Sequence, residues 1–201
     1  MSAVSEGIVR EYFEALDFLV LQPRKYAVAA RPKRPDEEID LIVVNAHPGD
    51  HRLPESGSWN SQDVRGIQRA IVDVRGWHTD RFSPAMLETT PEIFRFAGDE
   101  SVKRVTRTLG EGPVAKILCL PGLASTDELK RRSLSILKER GIDGVISFPV
   151  MLRELIGRIE VTRNYEKSDI LQTLRILKNY DLLKEPQMEL FRSPRKKAGH
   201  E

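Results

Sequence analysis

Three charged side chains in two apolar stretches are the residues of this sequence best placed to do chemistry. Asp40 lies within residues 38–44, and Asp73 and Arg75 lie within residues 70–77. Both stretches are rich in β-branched residues and therefore predict strands, in which successive side chains point to opposite faces. This period of two places Asp73 and Arg75 side by side. Because an acid in an apolar strand is costly to bury unless it is paired or bound to a metal, these residues indicate a binding site or an ion-pair cluster.

An acidic strand followed by a strand of the type acid-x-base resembles the PD-(D/E)XK nuclease superfamily, most closely its Holliday-junction-resolvase-like branch. Here the pattern is Asp40 followed by Asp73-Val74-Arg75, with arginine where the family usually has lysine. The likeness covers roughly the first half to two-thirds of the chain. It implies an α/β fold of the restriction-endonuclease type, with a mixed central sheet in the order α-β-β-β-α-β-α-β, flanked by helices, and two C-terminal helices.

The resemblance also implies a site for Mg²⁺ or Mn²⁺. The metal ligands would be Asp40, Asp73 and the main-chain carbonyl of Val74, because hard divalent cations prefer oxygen ligands. Asp40, Asp73, Arg75 and Glu11 are the implied catalytic residues. Family members often bring a glutamate from the first helix, and Glu11 lies at the edge of the apolar face of that helix. Glu14 is the reserve, and a solvated helix flank is the alternative for both.

Arg75 limits the chemistry that such a site can perform. A guanidinium stays protonated at any ordinary pH and cannot act as a base, although it binds phosphate through two donors. We therefore expect phosphate binding to survive better than turnover. The first hypothesis is a Mg-dependent nuclease that hydrolyses DNA phosphodiester bonds, or a DNA-binding nuclease-like protein. The second is a catalytically inactive nuclease-like fold that serves as a nucleic-acid or protein interaction module. The third is a structural ion-pair cluster in an unrelated α/β protein.

Several cations could contact DNA, the expected partner. Arg31, Lys33 and Arg34 form a turn interrupted by prolines, which could grip phosphates or could be a solvated basic turn. His78 follows the second acidic strand and could hold a phosphate, shuttle a proton or be a surface histidine. Three more cations share one face if their segment is helical, with a solvated face as the alternative: Lys103, Arg104 and Arg107.

Composition is that of a soluble globular protein. The chain has 201 residues, of which 40% are hydrophobic and 31% charged, with a formal net charge of +2. This length allows one domain with a small helical extension. The single cysteine, Cys119, lies in an apolar run and predicts a buried thiol in a reducing compartment. Neither a signal peptide nor a long apolar segment is evident, so we expect a cytoplasmic protein without a membrane span.

The remaining pattern divides the chain into a nuclease-like α/β core at 1–148, a C-terminal helical pair packed on it at 149–185 and a basic, disordered tail at 186–201. The predicted strands and helices follow in chain order: helix 8–22, strands 25–30, 38–44, 70–77 and 114–120, helix 126–140, strand 144–148, and helices 149–163 and 168–183. The strand, helix, strand order at 114–148 predicts a parallel pair. The apolar stripes of the last two helices offer a homodimer interface as an alternative to packing on the sheet.

A polar excursion at 45–69 joins the two acidic strands, and a loop of this length is usually functional or mobile. It contains His47, Asp50 and His51, which could in principle ligate zinc. Polar loop residues are the alternative, because Pro48 disfavours a helical histidine pair and no cysteine supports the site.

Overall fold

The structure is a computed structural model of the chain and describes residues 3–23, 39–47 and 49–183. Three predictions lie outside these residues: the strand at 25–30, the cation cluster of Arg31, Lys33 and Arg34, and the tail at 186–201. The remaining predictions fall wholly or mostly on described residues.

A mixed five-stranded sheet is the centre of the fold, which confirms the α/β class. The strands are β1 Phe18–Leu21, β2 Leu41–Asn45, β3 Arg69–Val74, β4 Ala115–Leu120 and β5 Gly144–Ser147. They lie in the order β1-β2-β3-β4-β5. The first three strands form an antiparallel meander, and β3, β4 and β5 are parallel. The predicted parallel pair at 114–148 is therefore present as β4 and β5.

Helices connect and flank the strands. Their bounds are α1 Ala3–Ala15, α2 Ser61–Arg65, α3 Pro84–Thr89, a 3-10 helix Pro91–Ala97, α4 Asp99–Leu109, α5 Asp127–Glu139, α6 Phe148–Arg158 and α7 Asp169–Asn179. Ser83 and Ser168 cap α3 and α7, each accepting a hydrogen bond from the backbone N–H of the third residue of its helix. Thr126 caps α5, and its side chain accepts a hydrogen bond from Leu129 N, so this helix begins one residue later than predicted.

The predicted first helix is too long, and the first described strand begins inside it. The helix was expected over 8–22, whereas α1 ends at Ala15 and β1 follows at Phe18. Asp17 adopts a left-handed conformation with φ 66°, and its carbonyl accepts a hydrogen bond from Ala46 N at 3.0 Å. β1 then pairs with β2, Phe18 lying opposite Asn45. Pairing with a distant strand thus overrides the helical period of this segment.

The sheet has helices on both faces. One apolar cluster joins Ile42, Ile71 and Leu118 of the sheet to buried residues of the helices that follow β3 and β4: Leu87, Ile93, Phe96, Val105 and Leu137. Because side chains alternate along a strand, the neighbouring strand residues face the other side. There α1 contacts α6 and β3. The sheet is consequently buried on both faces, which explains its nearly continuous apolar strands.

The excursion between β2 and β3 lies along the β5 edge of the sheet. Trp59 N donates to Val145 O, and Val145 N donates to Gly57 O, both at 2.8 Å. The Trp59 side chain is 1% exposed and lies directly on Gly144. The second half of the excursion contains α2, whose N-terminus Asn60 caps. This part of the loop therefore has a structural role at a sheet edge.

Contacts divide the chain into two units after Arg158. The first unit contains the sheet and α1 to α6, so the first of the two predicted C-terminal helices belongs to it. The second unit begins at Ile159 and contains α7. Within it, Arg175 Nε donates to Val161 O at 2.9 Å. None of the helices in the described residues has both the length and the apolar character needed to cross a membrane.

Replacing Gly144 by alanine should destabilise the protein by about 1–3 kcal/mol, because the added Cβ would overlap the ring of Trp59. Urea denaturation measures the effect. Gly157→Ala is the matched control, since Gly157 has no atom within 4 Å of an added Cβ and lies in an exposed helical position. The control should be neutral or stabilising by up to about 1 kcal/mol. Equal stability of the two variants would contradict this packing.

Candidate functional site

A buried ion pair lies at the end of β3. Asp73 Oδ2 is 2.6 Å from Arg75 Nε, and the two residues are 0% and 8% exposed. The period of two along the strand places both side chains on one face, as the sequence predicts. Arg75 N also donates to Cys119 O at 2.8 Å, so β4 holds the main chain on which the pair is mounted.

The guanidinium of Arg75 has further partners that enclose it. Its Nη2 donates to the carbonyl of Glu92, in the 3-10 helix, at 3.2 Å. Its Cζ lies 5.8 Å from the ring centroid of Trp77, which in turn stacks on Phe82 at 5.6 Å. Arg75 therefore joins β3 to the helical layer through its hydrogen bond to Glu92, while the ion pair with Asp73 and the cation–π contact with Trp77 hold the guanidinium in place.

Asp40, the residue directly before β2, lies beside this ion pair. We call the cluster of Asp40, Asp73 and Arg75 the corner. Asp40 Oδ2 accepts a hydrogen bond from Val74 N at 2.8 Å, and its backbone N donates to Val72 O at 3.1 Å. Val74 is the residue between Asp73 and Arg75. The structure thus brings the three predicted residues Asp40, Asp73 and Arg75 together at neighbouring ends of β2 and β3.

The two carboxylates influence the thiol of Cys119 on β4. Burial is the largest cause that raises the pKa of Cys119 well above 9.0, and the negative charges of Asp73 and Asp40 raise it further. The thiol is 0% exposed. Cys119 is consequently an inert, protonated core residue, and the effect of both acids on it shows that they lie near its side chain.

In this arrangement the corner does not fit a divalent cation. Asp73 Oδ2 is already held by Arg75, and the Asp73 side chain has no exposure through which the waters of Mg²⁺ could approach. Asp40 Oδ2 is held by a backbone N–H. Among the described residues, no group of three or more histidine, cysteine or acidic side chains is gathered as metal ligands. A cation bound through Oδ2 of Asp40 and Oδ2 of Asp73 would have to displace the partners of both atoms.

Glu11 is not joined to this corner. It is half-buried on α1, whose fully buried positions are Ser5, Val9, Tyr12 and Phe13. No hydrogen bond or ion pair links Glu11 to another residue in the described ranges. Glu14 is exposed and pairs with Arg10 at 2.8 Å, as expected for a solvated helix flank.

His78 lies four residues after the end of β3, near the corner, but its side chain contacts α1 and α6. Its Nε2 is 3.1 Å from Ser5 Oγ, and its ring lies 4.6 Å from that of Phe148. The sequence analysis missed Ser5, which is 73 residues away along the chain. Gly76 carried the available signal, because a Cβ at this position would collide with Ser5 Oγ.

The other candidate cations and the zinc alternative have separate local partners. Lys103 pairs with Glu100 at 2.8 Å on α4, and Arg104 Nη2 donates to Pro23 O at 3.3 Å. In the excursion, His51 Nδ1 accepts a hydrogen bond from Gln68 N at 3.2 Å, which occupies one ring nitrogen. Burial lowers the pKa of His51, so it favours the neutral imidazole.

Comparisons of the chain with protein-family models, with curated proteins and with solved structures found no match.

Breaking the buried ion pair should be strongly destabilising. Arg75→Met is expected to lower the free energy of unfolding by about 3–5 kcal/mol, because it leaves the Asp73 charge buried without its guanidinium. The double variant Asp73→Asn/Arg75→Met should lose less than the sum of the two single variants. Chemical denaturation of all three gives the coupling.

Glu14→Gln is the control for that cycle. It removes an exposed pair of the same charge types, 2.8 Å apart, and should change the free energy of unfolding by at most about 0.5 kcal/mol. Additive effects of the Asp73 and Arg75 substitutions would show that the two charges are not coupled.

The Cys119 thiol should react with iodoacetamide only when the protein opens. Burial blocks access, and the raised pKa keeps the thiol protonated in the folded state. Mass spectrometry of native protein should show slow labelling, with complete labelling in urea as the control. Because the unfolded thiol loses its proton while the folded thiol keeps it, this group also lowers stability as the pH rises through 9.0. Rapid, complete labelling of native protein would contradict the burial.

Proposed function

We propose that this chain is a restriction-endonuclease-like protein of the PD-(D/E)XK type that binds nucleic acid without metal-dependent hydrolysis. The element order supports the fold proposal. Leaving out the short α2 and treating the helices between β3 and β4 as one layer, the chain runs α-β-β-β-α-β-α-β. The acid on the residue before β2 and the acid-x-base pair at the end of β3 support the site proposal, because they meet at neighbouring strand ends.

The ion pair of Asp73 with Arg75 is the observation that best supports the proposed absence of hydrolysis. A lysine at position 75 could orient a water molecule beside a metal, whereas the guanidinium is fixed on the carboxylate at 2.6 Å and on the carbonyl of Glu92. An arginine side chain stays charged at ordinary pH and cannot act as a base. The pair therefore neutralises the acid that a metal would need.

Nucleic acid is the proposed ligand because exposed cationic or polar side chains lie close in sequence to the residues of the corner. His78 and Arg81 follow Arg75 in the loop after β3, and both are exposed. The sequence adds Arg31, Lys33 and Arg34 shortly before Asp40. Phosphate contacts of this kind are independent of base sequence and weaken as salt is added.

A Mg-dependent or Mn-dependent nuclease is the second candidate, and the position of Asp40 favours it. Asp40 and Asp73 lie on adjacent strands around Val74, as a carboxylate pair for a metal would. A bound metal would acidify a water molecule and neutralise developing phosphate charge. This candidate requires Arg75 to leave Asp73, so that both carboxylates face the ion.

The test is incubation of the purified full chain with branched, nicked and linear DNA in Mg²⁺ or Mn²⁺. We expect mobility shifts that weaken with salt and no cleavage by the wild-type protein. Asp40→Asn is the matched control, because it removes a charge without opening the Asp73 pair.

Cleavage by the wild-type protein that Asp40→Asn abolishes would overturn the proposal in favour of the nuclease. Arg75→Lys sharpens the comparison, since a lysine restores the family pattern and would increase cleavage if metal chemistry is intact. Absence of DNA binding under low-salt conditions would contradict the nucleic-acid proposal and favour a structural role for the cluster.

A further inference from the structure

The imidazole of His78 is exposed, yet two helices hold it in one orientation. Its Nε2 lies 3.1 Å from Oγ of Ser5, and Ser5 is the third residue of α1 and is 1% exposed. Its ring meets that of Phe148 edge-on, with an interplanar angle of 73°. An exposed side chain ordinarily keeps several rotamers, so a ring held at two points is preorganised for a contact.

The main chain before His78 is adapted to this arrangement. His78 N donates to Gly76 O at 3.0 Å, which forms a tight turn directly after Arg75. A Cβ on Gly76 would collide with Ser5 Oγ and come within 3.7 Å of His78 Nε2. Glycine at this position therefore allows α1 to approach closely enough for Ser5 to reach the ring.

The surroundings of the ring favour an anion. Phe148 is the first residue of the 11-residue helix α6, and Ser5 belongs to the first turn of the 13-residue helix α1. The N-terminal ends of helices carry partial positive charge from their backbone dipoles. Two acids lie close in sequence, Glu6 beside Ser5 and the exposed Asp80, and the exposed Arg81 offsets part of their charge. The buried acid Asp73 is paired with Arg75.

We propose that His78 is a phosphate-binding residue of the nucleic-acid surface, and that Ser5 is its positioning residue. This inference rests on the proposed function and adds to it the group that contacts the ligand. Ser5 holds Nε2, which directs the other ring nitrogen, Nδ1, to the phosphate. In the described part of the chain no hydrogen bond reaches Nδ1. The serine hydroxyl can accept from or donate to Nε2, so an N–H at Nδ1 can donate to a phosphate oxygen.

The first experiment measures binding of a labelled DNA duplex to the full chain by fluorescence anisotropy at low salt. His78→Gln should weaken affinity about tenfold, because it removes a hydrogen bond to a charged group. Ser5→Ala should weaken it less, since the imidazole remains but loses its orientation. His47→Gln is the matched control and should leave affinity unchanged, because His47 is an exposed loop histidine remote along the chain from this edge.

The second experiment records imidazole ¹⁵N NMR signals during titration with inorganic phosphate. The signals of His78 should shift with phosphate while those of His47 do not. Ser5→Ala should reduce the shift of the His78 signals that phosphate produces, whereas loss of a merely structural serine would leave that response unchanged. An unchanged phosphate response in Ser5→Ala would overturn the positioning role.

The two experiments separate this inference from the proposed function. DNA binding that His78→Gln leaves unchanged overturns the role of His78 and keeps the proposed function. If wild-type protein does not bind DNA, the proposed function fails and the phosphate titration decides. In that case a His78 shift supports an anion site, and an unmoved signal overturns it.

Discussion

The buried ion pair between Asp73 and Arg75 is the interaction on which the rest of this corner depends. Two opposite charges at 2.6 Å with almost no exposure stabilise one another, but each alone would be costly in the interior. Because Arg75 also binds the carbonyl of Glu92, the pair links the central strand β3 to the helical layer. The same ion pair holds Oδ2 of the carboxylate that the proposed metal site would use, so the proposed absence of metal chemistry rests on an interaction that also stabilises the fold.

A second buried arginine shows that this chain uses guanidinium groups as internal cross-links. Arg69, at the start of β3, is 9% exposed. Its guanidinium donates to four backbone carbonyls in the segment before β4, those of Leu109, Gly110, Glu111 and Pro113. Gly112 makes room for it, since a Cβ there would overlap the guanidinium. The two arginines therefore hold both ends of β3, one through backbone carbonyls and one through a carboxylate.

Local pattern predicted much of this architecture and little of its long-range contacts. The period of two in residues 70–77 correctly placed Asp73 beside Arg75, because strand geometry is a local property. The sequence could not show whether Asp73 binds Arg75 or a metal. In both cases the two side chains lie on the same face of the sheet, so the alternation pattern is identical. That choice depends on distance and burial, which arise from the packing of the 3-10 helix.

The errors have related physical causes. Residues 18–21 continue a helical apolar period, but pairing with β2 converts them into a strand after the left-handed Asp17. The excursion at 45–69 is predicted to be functional or mobile because of its length. Its contact with the sheet was missed, because Trp59 covers Gly144, which follows 85 residues later. Ser5 was missed for the same reason, because its partner His78 is distant in sequence.

The central proposal is that Arg75 holds the carboxylate that a metal would need, which would leave a nuclease-like site without metal chemistry. Mn²⁺ binding measured by electron paramagnetic resonance tests it most directly, in wild-type protein and in Asp40→Asn. The account predicts equal, weak binding in both proteins, as expected for scattered surface carboxylates. A tight site in the wild-type protein that is lost in Asp40→Asn would contradict it.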